Sequence, residues 1–183
     1  MDRRKVYRLT LAAMFLALGL TLPFLTGQIP QIGNMLLPMH IPVFFCGLLC
    51  GKGYGATVGA TTPLLRSLLF SKPALFPSAI AMSVELAAYG FLVALFYSLF
   101  KKKDLVALYV SLVGAMLGGR LLWGITKAAL LGFSNERFPF SVFLAEGFTA
   151  AILGIVIQLV LIPAVMLALK KTEMPKKKEK SRV

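Results

Sequence analysis

Apolar positions along this chain come in long blocks, and polar positions are confined to the short segments between them. Six apolar stretches stand out: Val6–Leu25, Met39–Cys50, Tyr54–Phe70, Ser78–Phe100, Leu105–Leu131 and Phe140–Leu169. A helix needs about 20 such residues to cross a bilayer. The pattern therefore predicts an all-α integral membrane protein built as a six-transmembrane-helix bundle. Residues 1–170 form its membrane domain and 171–183 a basic cytoplasmic tail. Met39–Cys50 is short for a full crossing and contains Pro42, so it is either tilted or begins within the membrane. The segment Thr26–Pro38, with Gln28, Gln31 and Asn34, is long for a connector in so small a bundle. Its length and polarity fit a lid or a re-entrant piece. Gly51-Lys52-Gly53 reads as a tight turn, and Gly132–Pro139 as a polar loop.

Composition agrees: 58% of residues are hydrophobic and 15% are charged, against about 25% charged in soluble proteins. The mean hydropathy is +0.81. A formal charge of +13 would suit a nucleic-acid binder, but the placement of the cations excludes that reading. Fifteen of the twenty Lys and Arg fall in Arg3/Arg4/Lys5/Arg8, Lys52, Lys101–Lys103 and the run from Lys170 to Arg182, between or outside the apolar blocks. Only Lys72 and Arg137 occupy the alternate loops. By the positive-inside rule both termini are cytoplasmic, in contact with anionic lipid. Because a block long enough to span follows Arg3–Arg8, that block is expected to be a first transmembrane helix and not a cleavable signal peptide.

Chemistry is expected where charge enters the apolar blocks, at Arg66, Glu85, Arg120, Lys127 and Glu146. Hydrocarbon disfavours each by about 2.5–3.5 kcal/mol even on insertion scales, so they must face protein, water or a ligand. All five fall between the midplane and the outer end of their stretches, as a polar cavity open to the outside requires. Arg120, Trp123, Gly124 and Lys127 recur at helical spacing and share one face. Ser78, Met82, Glu85 and Tyr89 form a similar stripe on the fourth stretch. Asn135 and Glu136 lie in the loop above, and Gln28, Gln31 and Asn34 are placed to close the top. Aromatic rings with a few convergent polar groups describe a site for a small organic molecule; the competing reading is that Glu85 and Glu146 neutralise Arg120 and Lys127 as helix-locking pairs. Three buried cations against two carboxylates leave about one positive charge and favour an anionic ligand. Arg66, near a helix end, is placed to snorkel to the interface. His40 reads as a helix-start or interface residue, and Cys46 and Cys50 as buried thiols without the partners a metal site requires. The chain has no G-x-x-x-x-G-K-[ST], so it cannot energise transport by its own ATPase. No Ser/His/Asp set or HExxH points to an enzyme.

On the first stretch, Ala12, Ala13 and Ala17 with Gly19 make a small-residue surface that lets another helix approach closely. Six spans in so short a chain, internal termini, Ala13-x-x-x-Ala17 and the long loop after it resemble the substrate-binding S components of energy-coupling factor (ECF) vitamin transporters. The stretch Pro38-Met39-His40-Ile41-Pro42 through Gly47, Gly51, Gly55 and Gly59 to Pro63-Leu64-Leu65-Arg66-Ser67-Leu68-Leu69-Phe70 is similar to the subgroup that includes the pantothenate type. The resemblance implies a subunit without catalysis or cofactor, in the plasma membrane of a prokaryote. It implies capture of a vitamin outside and docking on a transmembrane coupling protein driven by two cytoplasmic ATPase subunits, with ATP used by those partners alone. Ala13 and Ala17 would then be the docking surface, Gln28, Gln31 and Asn34 part of a gating loop, and Glu85, Tyr89, Arg120, Trp123, Lys127, Asn135 and Glu146 the pocket. Pantothenate is the first substrate expected, with pyridoxine-type vitamins, riboflavin and other small metabolites open. Nickel- and cobalt-type members use a His close to the N-terminus, and Met1-Asp2-Arg3-Arg4 has none. The rival reading is a self-sufficient secondary transporter in which Glu85 and Glu146 carry protons.

Overall fold

The computed structural model describes residues 3–26, 35–133 and 138–179. Among them every regular element is helical: α1 (Arg3–Thr21), α2 (His40–Cys50), α3 (Lys52–Phe70), α4 (Ile80–Leu99), α5 (Leu105–Phe133), α6 (Phe140–Leu144) and α7 (Ile152–Glu179). A 3₁₀ turn, Leu22–Thr26, continues α1, and π-type turns at Leu75–Ala79 and Ala145–Thr149 lead into α4 and out of α6. Four segments are long and apolar enough to cross a membrane: Arg3–Leu25, Leu75–Leu99, Leu105–Phe133 and Phe140–Lys171. The α2 helix is shorter than a crossing, and α3 carries Thr57, Thr61, Thr62, Arg66 and Ser67 in its apolar run. The last helix does not stop where the apolar stretch ends; its backbone runs on to Glu179.

Local chemistry sets the element ends. Pro23 disfavours α geometry at Leu22, and the chain tightens there into its 3₁₀ turn. Gly51 takes φ 99°, a region open to glycine at little cost, and so breaks α2 from α3. The Asp104 carboxylate accepts from the Ala107 amide at 2.9 Å, which caps the first turn of α5. At the other end of α3, Ser71 is left-handed and donates its amide to the Ser67 carbonyl at 2.9 Å.

Packing is tightest where α2, α3 and α4 meet. A Cβ on Gly55 would lie 2.6 Å from the Gly90 carbonyl oxygen and 2.7 Å from the Gly47 Cα, so these helices touch backbone to backbone, as small residues permit in membranes. Pro63 has no N–H to give the α3 ladder. Ser83 of α4 donates its hydroxyl to the nearby Ala60 carbonyl at 2.8 Å and ties the two helices together. Val43, Phe44, Leu86, Val93, Leu112 and Ile162 fill the core without measurable exposure. Outward, Val106, Val110, Leu121 and Ile125 of α5 and Ile152, Val156 and Val160 of α7 are exposed. These stripes recur at helical spacing, and such apolar exteriors belong against lipid.

Candidate functional site

The five intramembrane charges separate into three arrangements, where the sequence predicts one cavity. Arg66 is 3% exposed and donates from Nη1 to the Leu20 carbonyl at 2.7 Å. Its guanidinium lies 5.2 Å from the Phe24 ring and 5.6 Å from the Phe70 ring. It therefore satisfies one of the carbonyls orphaned at the end of α1. The surplus positive charge expected of the pocket sits here, engaged by α1, and the two remaining cations are matched by two carboxylates.

The second arrangement joins α2, α4 and α5. Glu85 is 1% exposed. Its Oε1 accepts from Arg120 Nη1 at 2.7 Å and from the Tyr89 hydroxyl at 2.8 Å. Glu85 and Tyr89 stand one turn apart on α4, which lets the phenol reach the carboxylate. Tyr89 stacks on Phe44 with ring centroids 5.0 Å apart, and the resulting wall fixes the rotamers of both residues. His40, expected at a helix start or an interface, is the first residue of α2 and is 1% exposed. Its Nε2 lies 3.8 Å from Glu85 Oε1, close enough for electrostatic contact and too long for a hydrogen bond.

The third arrangement lies two turns along α5. Lys127 pairs with Glu146, which the π-type turn presents from the end of α6. The ammonium also sits 4.9 Å from the Trp123 ring centroid and 5.2 Å from that of Phe138. Trp123 links the two clusters, because the Arg120 guanidinium lies 5.9 Å from the same ring. The Glu146 side chain is 46% exposed, so this pair is partly open at the protein surface and the Glu85–Arg120 pair is enclosed. Both ion pairs considered as helix-locking contacts therefore exist in the fold.

A cavity of about 200 Å³ opens beside the second arrangement, lined by Leu37, Tyr89, Met116, Arg120, Phe148, Ile155, Gln158 and Leu159 among others. Arg120 is 5% exposed, and its Nε and Nη2 have no hydrogen-bond partner among the described residues. Leaving such buried donors unpaired costs about 1–3 kcal/mol each. Leu37 holds φ 49°, an uncommon conformation for a branched side chain. Its neighbours Met35 and Leu36 lie against α7, where a Cβ on Gly154 would meet the Met35 carbonyl at 2.7 Å. The far end of the Thr26–Pro38 segment thus forms part of the cavity wall.

Of the pocket residues expected from sequence, Tyr89 and Arg120 line this cavity and Glu85 holds Arg120 from behind. Trp123, Lys127 and Glu146 form their own cluster and are not on the cavity wall. Gln28, Gln31, Asn34, Asn135 and Glu136 lie outside the described residues. Gln158 was missed, although its signal is plain: it is the sole polar side chain between Ile152 and Ala168. His40 was read as peripheral because a histidine at a helix start has no periodicity to place it. The small-residue surface on α1 also divides. Ala13 and Ala17 are exposed, whereas Ala12 and Gly19 are buried against the bundle. Cys46 and Cys50 are buried free thiols, and the described residues contain no cluster able to hold a metal ion.

The family model for the substrate-specific component of ECF transporters matches residues 7–169. No curated protein and no solved structure matches the chain.

Proposed function

The chain belongs to the family of ECF transporter substrate-specific components, and from that premise we propose that the cavity beside Arg120 captures a small vitamin, pantothenate first among the candidates. Membership makes the chain a multi-pass membrane subunit that selects the substrate of a transporter, and the family is not one of enzymes. The observation that carries the substrate reading is the buried Arg120 side chain, held by Glu85 and lining a cavity together with Tyr89. Because Glu85 already balances its charge, Arg120 favours a neutral acceptor over a second unpaired carboxylate, and the hydroxyl and amide oxygens of pantothenate are such acceptors. A volume of about 200 Å³ lies below the 300–1,000 Å³ usual for ligand pockets, and suits a compact acid better than a three-ring flavin.

In this reading α2 and α3, joined at Gly51, complete a six-pass bundle in a prokaryotic plasma membrane. The basic segments set both termini in the cytoplasm. Exposed Ala13 and Ala17 on α1 receive the transmembrane coupling protein, and two cytoplasmic ATPase subunits supply the energy. The gating role expected of Thr26–Pro38 belongs to the same reading, supported at its described end by the contact of Met35 and Leu36 with α7.

Isothermal titration of the detergent-solubilised chain with pantothenate, pyridoxine and riboflavin tests the assignment. Pantothenate is expected to bind the wild type. Replacing the pair together (Glu85→Leu with Arg120→Met), which leaves no buried charge behind, should weaken it by at least about tenfold, the equivalent of one charge-assisted hydrogen bond of about 1.5 kcal/mol. Unchanged affinity in that variant would place the site elsewhere.

A further inference from the structure

Two apolar stripes and a cluster of lysines meet along the seam between α5 and α7. On α5, Val106, Val110, Val113 and Leu117 are all exposed and fall on one face, so that face is bare from the first turn of the helix to the cavity. On α7, Ile155, Leu159, Ile162, Met166 and Lys170 share a face by the same spacing. Val113 and Leu117 line the cavity together with Ile155 and Leu159. Val113 is 42% exposed and Leu117 51%, so the cavity borders the outer surface of the bundle on this side, where an apolar exterior faces lipid. At the other end of the seam Lys170 donates from Nζ to the Lys103 carbonyl at 2.9 Å, which ties α7 to the turn before α5. Lys101, Lys102 and Lys171 are exposed beside this tie. The acid of that turn, Asp104, accepts from the Ala107 amide, and an ammonium has three donors, so Lys170 keeps capacity for a further acceptor.

The distance between these two features is the depth of one leaflet. At about 1.5 Å per residue, Val113 and Leu117 lie about 12 and 18 Å along α5 from Leu105, and Leu159 about 17 Å along α7 from Lys170. A hydrocarbon core of about 30 Å gives each leaflet about 15 Å. We infer that the α5–α7 seam binds an anionic phospholipid, its phosphate held by Lys101, Lys102 and Lys170 and one acyl chain lying along the bare face of α5 with its end in the cavity. A zwitterionic lipid brings no net charge to the lysines, and a free phosphate brings no chain to the seam. The inference does not rest on the vitamin reading. A cavity of about 200 Å³ holds a chain end or a substrate and not both, so the lipid fills it while no substrate is bound.

The test is native mass spectrometry of the full chain in detergent, titrated without vitamin against dioleoyl phosphatidylglycerol, dioleoyl phosphatidylcholine or glycerol phosphate. The first phosphatidylglycerol should bind at least about tenfold more tightly than phosphatidylcholine, because each lysine near an anionic headgroup contributes about fivefold. Glycerol phosphate should not be retained. Lys101→Gln with Lys102→Gln and Lys170→Gln, all at exposed positions, should abolish the preference between the two lipids. Val113→Trp with Leu117→Trp puts bulk into the seam from side chains that already face outward, and should weaken phosphatidylglycerol at least about fivefold with every lysine in place. Equal retention of the two lipids by the wild type would overturn the inference in favour of ordinary contact with surrounding lipid. Glycerol phosphate held as tightly as the lipid would overturn it in favour of an anion site without a chain. Unaltered phosphatidylglycerol affinity in the Val113→Trp with Leu117→Trp variant would overturn it by removing the chain from the seam.

Discussion

Replacing Glu85 with Leu should be among the most destabilising single changes in this protein, and replacing Arg120 along with it should restore most of the loss. Glu85 is 1% exposed and accepts from Arg120 at 2.7 Å and from Tyr89 at 2.8 Å. Removing it leaves a guanidinium at 5% exposure with no carboxylate, and its Nε and Nη2 already lack partners among the described residues. Breaking one side of a buried ion pair costs about 3–5 kcal/mol, and the orphaned Tyr89 hydroxyl adds about 1–3 kcal/mol. The two share one oxygen and will not sum fully. A loss of at least about 3 kcal/mol is expected. The double variant Glu85→Leu with Arg120→Met removes the uncompensated charge, and apolar replacement of a whole buried pair is often neutral or better. It should therefore recover at least about 2 kcal/mol while losing ligand capture. Reversible unfolding in mixed micelles, followed by Trp123 fluorescence, reports the free energies. A Glu85→Leu loss under about 1 kcal/mol, or a double variant no more stable than the single, would refute the argument that this pair is buried and mutually dependent.

Further expectations follow from other contacts. Gly55→Val should destabilise by at least about 1–3 kcal/mol through overpacking, because its Cβ would fall 2.6 Å from the Gly90 carbonyl; a thermal midpoint equal to wild type would show that α3 and α4 can part at little cost. Lys127→Met should change pantothenate affinity less than about threefold, since the ammonium is engaged by Glu146, Trp123 and Phe138 and is not on the cavity wall; a tenfold loss by titration would bring the third cluster into the binding site. Ala13→Trp with Ala17→Trp should abolish co-purification with the coupling protein and its ATPases while vitamin binding by the isolated subunit persists; a full complex recovered with the double variant would remove α1 as the docking surface.

The helices were legible because hydrophobic blocks and their Gly and Pro boundaries are local properties. Pro23, Gly51 and Asp104 each end or begin an element for reasons contained in their own side chains. The buried charges were legible as a class for the same reason, since hydrocarbon tolerates none of them unpartnered. Their grouping was not, because it depends on how helices far apart in sequence cross. Periodicity put Arg120, Trp123 and Lys127 on one face of α5, and they do share it. Whether that face meets one cavity or two clusters was decided by α4 bringing Glu85 to Arg120 and by the π-type turn carrying Glu146 to Lys127. Arg66 illustrates the same limit, its partner being a main-chain carbonyl that no side-chain pattern announces. Counting spans by length also has a physical limit: α2 is short and α3 polar, and both gain their place from glycine-mediated contact with α4.

The central claim is that this subunit, on its own, holds a small vitamin in the cavity beside Arg120. Native mass spectrometry of the protein purified from cells, released from detergent in the gas phase, tests it most directly. The account predicts one small molecule retained at up to one per chain by the wild type, identified as a vitamin of compact size, and lost from the Glu85→Leu with Arg120→Met variant. A chain that retains nothing even after incubation with the vitamin panel, or a variant that retains the same molecule equally well, would contradict it.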